Sequence, residues 1–252
     1  MTRTGIAAVV AGCAALWTAS ASAAEKAYTY KDGAAEEFLL QVRGAAPVID
    51  GVIGEDEWRD AAQMDGFSDD QRRVRGYVLA TRDAFSLAVR SQLPEKGDLT
   101  ANIAADNMER MIFDDSIEVW LAPDPSAPKG KRFQFMTNPN GRRWARVHGR
   151  GGVDGVKDWR ADWETRSSLR DGFWHCEIRI PVREMTDLPA TAAAWSVNLW
   201  RNWKNPWLQT FMIGRMFDMV PSVWRFTDRP APAVRLAEKA NRFLGDVHLA
   251  LE

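Results

Sequence analysis

Ile49-Asp50-Gly51-Val52-Ile53-Gly54-Glu55-Asp56-Glu57-Trp58 reads as a strand end, a tight turn and one short helical turn closed by an indole. Gly51 supplies the backbone freedom that a turn after a buried strand demands, and the Asp50 carboxylate can accept hydrogen bonds from the amides that follow it. Glu55 falls at the start of the helical turn, where a carboxylate meets the positive end of the peptide dipoles. Trp58, one turn later, is expected in the core, plugging one end of a layered β fold.

Downstream of this segment the apolar residues alternate with period two, the signature of half-buried strands. Val74, Gly76, Val78 and Ala80 oppose Arg75, Tyr77, Leu79 and Thr81; Phe85, Leu87 and Val89 oppose Ser86, Ala88 and Arg90, with a hairpin turn at Arg82-Asp83. Ile117, Val119 and Leu121 oppose Ser116, Glu118 and Trp120, and Phe133 and Phe135 lead to the turn Asn138-Pro139-Asn140-Gly141. Further strands are predicted over residues 47–49, 163–169, 173–180, 195–203, 209–213 and 246–249, the second and third joined by Asp171-Gly172. Helix is predicted only over residues 55–62, residues 182–185 and residues 233–244, the last because Leu236, Ala237, Ala240, Phe243 and Leu244 trace one face at helical spacing. Short strands joined by Gly, Asp, Asn and Pro turns indicate an all-β fold, an antiparallel β-sandwich of immunoglobulin or jelly-roll type with few short helices.

The chain has 252 residues, enough for one large sandwich. Residues 1–24 read as a signal peptide: Arg3, an apolar run, then Ser20-Ala21-Ser22-Ala23-Ala24 as a cleavage region. Val10-Ala11-Gly12-Cys13 also fits lipoprotein processing, but the apolar run continues beyond Cys13, so cleavage near Ala23 or Ala24 is the expectation. Residues 25–44 are then an irregular leader, and residues 45–252 the sandwich. A secreted or periplasmic protein follows, with no other run long enough to span a bilayer. Without Cys13, Cys176 is the remaining cysteine, so stability must come from the core. Formal net charge is −1 with the charges interspersed, which excludes the broad basic field that nucleic acid requires.

Tryptophan is the compositional outlier: there are 12, of which only Trp17 falls within the first 24 residues. Indole faces stack on the C–H faces of sugars while carboxylate and amide groups bond the hydroxyls. Alternation places Glu118 and Trp120 on one face of their strand, and Asn198, Trp200 and Asn202 on one face of another, so the two faces could meet a ligand together. Trp174 alternates with Cys176 and Ile178 and belongs to the core.

The Ile49–Trp58 segment, Asp114-Asp115-Ser116-Ile117-Glu118-Val119-Trp120-Leu121 and Trp195-Ser196-Val197-Asn198-Leu199-Trp200-Arg201 together resemble family 9 carbohydrate-binding modules. The resemblance runs from Pro47 to Leu249, with residues 233–244 as an insertion. It implies a non-catalytic module that binds an oligo- or polysaccharide and supports polysaccharide breakdown beside glycoside hydrolases. Glu118 matches the family's hydroxyl-bonding glutamate, and Trp224 is the nearest match to the second of its two stacking tryptophans. The first is absent: Met108-Glu109-Arg110-Met111-Ile112-Phe113 stands there, leaving Phe113 or Trp120 as a substitute. Gln134 replaces an expected arginine. The expected sugar-binding set is therefore Glu118, Trp120, Gln134, Asn198, Trp200 and Trp224.

Other chemistries have weaker support. Asp114, Asp115, Glu118, Asp158, Asp162 and Glu164 are too many to exclude a hydrolase pair by counting, but no spacing singles one out. His148, His175 and His248 are isolated, unlike zinc ligands. Structural calcium on Asp50, Asp114 and Asp115 is implied by the resemblance, without an assigned ligand set. Haem ligation by Met212, Met216 or Met219 with Lys204, as in related periplasmic electron-transfer sandwiches, is the alternative function; a plain interaction module is the third.

Overall fold

Two stacked sheets bury the apolar half of each alternating strand. The computed structural model describes residues 27–29, 36–66, 72–123, 131–149, 159–213, 222–228 and 234–238. The first sheet has the order β1 (Ala27–Thr29), β3 (Ala62–Asp65), β4 (Val74–Ala80), β5 (Ala84–Gln92), β10 (Phe173–Pro181) and β9 (Glu164–Arg170). The second has the order β14 (Val234–Glu238), β2 (Glu36–Gln41), β13 (Ser222–Thr227), β11 (Ala194–Lys204), β6 (Ser116–Ala122), β7 (Arg132–Thr137) and β8 (Arg143–His148), with β12 (Trp207–Ile213) also paired to β11. Pairing is antiparallel except for β1 with β3 and β2 with β13. The all-β sandwich expected from alternation is the fold observed.

The core lies between the sheets. Val78, Leu87, Val89, Cys176 and Ile178 from the first meet Phe38, Val119, Phe135, Val197, Leu199 and Trp224 from the second, all buried. Burial of each large side chain contributes about 1.5–3 kcal/mol, and the shared inner faces fix strand register, because a one-residue slip would turn them outward. One charge enters this core. Arg201, fully buried on β11, lies between the rings of Trp174 at 4.7 Å and Trp203 at 4.3 Å, and its Nη2 donates to Asp115 Oδ1 at 2.7 Å. Burial lowers the guanidinium pKa to about 10, while Asp115 pulls it back up.

Several boundaries differ from those the sequence suggests. Residues 47–49 form no strand. The leader is not irregular throughout: β2 lies between β13 and β14, with Phe38 and Leu40 in the core. Residues 234–238 form strand β14 rather than the start of a helix, because pairing with β2 is available to them. The rest of that helix and the closing strand over 246–249 lie outside the described residues, as do residues 1–26. Strands β1, β3, β8 and β13 are additional to those expected. Among the described residues, no helix is long and apolar enough to cross a membrane.

The Asp50-Gly51 corner is built as a staple on the outer face of the first sheet. Val52 N donates to Asp50 Oδ1 at 2.8 Å, and Gly51 has φ of 91°, where an added Cβ would meet the Ser167 backbone at 3.1 Å. Helix α1 (Glu55–Trp58) follows, and Trp58 packs on Leu79 and Ala88, outside the inter-sheet core. It therefore covers a sheet face rather than plugging the sandwich end. Glu177 on β10 holds the corner: Oε2 accepts from Asp50 N at 3.0 Å and Gly51 N at 2.7 Å, and Oε1 accepts from Trp58 Nε1 at 2.8 Å. Burial pushes the Glu177 carboxyl above the usual carboxylate range, against the pull of these three donors. Glu177→Ala removes all three acceptor contacts, so urea denaturation should show a loss of about 3 kcal/mol. A loss under about 1 kcal/mol would mean that apolar packing alone holds the corner.

Candidate functional site

The outer face of the second sheet carries a dense polar and aromatic cluster centred on Glu118. Register places Glu118 beside Met136 of β7 and Trp200 of β11, and Trp120 beside Gln134 and Asn198. The carboxylate accepts four side-chain donors. Trp120 Nε1 at 2.7 Å and Gln134 Nε2 at 2.5 Å reach Oε1, while Trp200 Nε1 and Asn202 Nδ2, each at 3.0 Å, reach Oε2. Two indoles are thus oriented by opposite oxygens of one carboxylate; their centroids are 6.4 Å apart and their planes 29° from parallel.

The network extends across both neighbouring strands. Gln134 Oε1 can only accept, so His148 Nε2, 2.8 Å away, donates to it, and the His148 ring packs 4.6 Å from that of Trp120. On the other side Gln209 Nε2 donates to Asn202 Oδ1 at 2.8 Å, and Phe211 meets Trp200 edge-on at 6.1 Å. Trp207 precedes Gln209 by two residues on β12, hence shares its face, and is 63% exposed. Lys204 Nζ sits 3.6 Å from the centre of the Trp207 ring and donates to the carbonyl of Ile112, next to Phe113, itself 63% exposed. Partial burial lowers the Lys204 pKa; Asp115 acts in the opposite direction.

Asp114 and Asp115 shape the rim. Asp114 accepts from Asn102 N, Ile103 N and Asn138 Nδ2, each at 2.9 Å, and Asp115 accepts from Thr100 N at 2.6 Å as well as from Arg201. The connection over residues 93–113 is thereby drawn across the sheet end, where Ile103 and Met111 pack on Met136 and Trp144.

No protein-family model matches the sequence, and no curated protein matches it. Solved structures do match. A family 9 carbohydrate-binding module from Caldicellulosiruptor kristjanssonii, in complex with cellotriose, superposes with a TM-score of 0.55 at 12% identity, covering 77% of this chain and 95% of that one. The two chains share one sandwich fold. The glucose complex of a family 9 module from the same organism gives 0.56 at 12% identity over 77% of this chain and 97% of that one. A candidate carbohydrate-binding protein from Bacteroides uniformis gives 0.58 at 14% identity over 77% and 100%.

Within this fold the structure brings Glu118, Trp120, Gln134, Asn198 and Trp200 together on one face. It does not bring Trp224 to them. Trp224 is fully buried on β13, stacked on Phe38 at 4.8 Å in the inter-sheet core, and its chain position near the end of the fold does not make it a ligand platform. Trp207, Gln209 and His148 belong to the face and were not expected; for His148 the signal is the alternation of Ala145 and Val147 against Trp144, Arg146 and His148 in β8.

The calcium and haem readings meet obstacles here. The Asp114 and Asp115 carboxylates already accept from amides and Arg201, and among the described residues no group of three or more His, Cys, Asp or Glu side chains could hold a metal ion. Met212 is a buried core residue close to Gly76, Lys204 is engaged at Ile112, and Met216 and Met219 lie outside the described residues. Asp162 and Glu164 pair with Arg183 and Arg179, and Asp158 is outside the described residues. Truncating the buried indole in Trp224→Ala should destabilise the fold by about 3–5 kcal/mol, read as a lower urea midpoint. An unchanged midpoint would place Trp224 outside the core.

Proposed function

We propose that this protein is a secreted or periplasmic carbohydrate-binding module that takes saccharides on the outer face of its second sheet and assists polysaccharide breakdown without catalysing it. The observation that carries this reading is the Glu118 carboxylate, which orients two indoles and two amides from three adjacent strands beside the open rings of Trp207 and Phe113. A sugar needs both parts. An exposed aromatic ring supplies a flat apolar surface for the pyranose C–H groups, and side-chain amides held in fixed orientations match hydroxyls without losing further side-chain entropy on binding.

In this reading Trp207 is the principal stacking surface at one end of the face, with Gln209 next to it and Trp120 and Asn198 farther along the same face. Glu118 and Trp200, both buried, hold that face in shape. The ligands of the structurally similar modules, cellotriose and glucose, make β-glucan chains and their ends the first class to examine.

Isothermal titration calorimetry with cellotriose, xylo-oligosaccharides and glucose is the direct test. Saturable binding is expected for at least one of them. Trp207→Ala should weaken it about tenfold, corresponding to the loss of one stacked ring, with an unaltered thermal transition. Failure of every sugar with the intact protein would overturn the reading, and full affinity in Trp207→Ala would move the site off this edge.

A further inference from the structure

The opposite outer face, on the first sheet, is chemically unlike the Glu118 face. Cross-strand register sets Arg75 of β4 directly against Arg90 of β5, and Arg90 against His175 of β10. In the next row Phe173 of β10 faces Arg170 of β9. The Arg90 guanidinium lies 3.9 Å from the centre of the Phe173 ring, and Arg73, just before β4, brings a second guanidinium to 5.3 Å from the same ring. Like charges placed directly opposite one another on a sheet cost stability. Here one carboxylate answers them among the described pairs: Asp65, bonded to Arg75 Nε at 2.7 Å.

A second observation is independent of the arginines. His175 is only 8% exposed, yet both its ring nitrogens lack a hydrogen-bond partner among the described residues. A buried imidazole normally uses at least one nitrogen, since leaving a buried polar group unpaired costs about 1–3 kcal/mol. Its neighbours across the sheet are Arg90 on one side and Ser168 on the other, and the Ser168 hydroxyl already donates to Gly51 O at 2.6 Å. Glu177, two residues along β10, is engaged with the Asp50-Gly51 corner.

From this the geometry points to a second binding site on the outer face of the first sheet, where Arg90, Arg170 and His175 beside Phe173 hold one small oxyanion, the carboxylate of an acidic sugar or a free phosphate. The chemistry suits such a group. Guanidinium forks bond planar or tetrahedral oxyanions with two N–H donors at once, and a protonated imidazole adds a third charge-assisted donor. Extent limits the ligand. Three strands at about 4.8 Å spacing give room for one charged group and a sugar ring rather than a polyanion, in keeping with a chain whose overall charge is −1.

Charge in this patch already acts on His175. Burial lowers its pKa, Arg90 and Arg170 lower it further, and Asp171 at the β9–β10 turn opposes them. An oxyanion seated among the same groups reverses the electrostatic part, so binding should draw a proton onto His175 and raise its titration midpoint.

NMR titration of the histidine ring resonances, with His175 assigned by its absence in His175→Gln, tests this on the whole protein. Galacturonate, galactose and inorganic phosphate are the probes. A saturable shift at His175 with galacturonate but not galactose, together with an upward move of its midpoint, supports an acidic-sugar site. An equal or larger effect from phosphate supports a free-phosphate site. Arg90→Gln and Arg170→Gln, both at exposed side chains, should each weaken the effective probe about tenfold, whereas Arg166→Gln, on the same strand as Arg170 but opposite Glu177 in the register and away from His175, should not. No response at His175 to either anion, or a response undiminished in both arginine variants, would overturn the inference. Neither outcome bears on cellotriose binding at the Glu118 face, so the two sites are separable.

Discussion

The buried pair of Asp115 and Arg201 ties together the parts of this molecule that would otherwise be independent. Arg201 projects from β11 into the core, between indoles of both sheets, and its charge at that depth is tolerable only with Asp115 beside it. Asp115 in turn sits one residue before β6, accepts from Thr100 N and Lys204 N, and so fixes where the long connection, β6 and the end of β11 lie relative to one another. Glu118, three residues on, inherits its position from that arrangement. The same cation that desolvates into the core thus sets the depth and register of the polar face outside it.

The two sheets divide the remaining tasks. The inner faces carry the hydrophobic packing; the outer face of the second sheet carries oriented indoles and amides; the outer face of the first carries the Asp50-Gly51 corner at one end and a cationic row at the other. Such division is available to a sandwich because alternate residues of one strand serve different faces, so β6 can give Ile117, Val119 and Leu121 to the core and Glu118 and Trp120 to the outer face.

Most of this was legible where the physical cause is local. Alternation alone separated Val119 from Glu118 and located β4, β5, β6, β7 and β10, and Asp-Gly chemistry located the corner. What escaped depended on distant partners. Residues 36–41 and 234–238 are short and carry no turn signal that marks them as a pair; they are strands because each supplies the other with hydrogen bonds, while residues 233–244 alone have helical spacing. Glu177 was invisible as the holder of the corner because its three donors lie more than a hundred residues away. The family resemblance points to Trp224 as a stacking ring, whereas the direction its strand turns it, toward Phe38, decides its role.

The placement of β2 has a practical meaning for where this domain begins. A chain trimmed to start at the Asp50-Gly51 corner would keep the recognisable motif but discard Phe38 and Leu40, stripping the stacked partner from Trp224 and leaving β13 with one unpaired edge. Open backbone donors beside newly uncovered aromatic surface are a template for a foreign strand, so such a fragment would tend toward self-association and aggregation. The short strand ahead of the motif is the cover over that edge of β13.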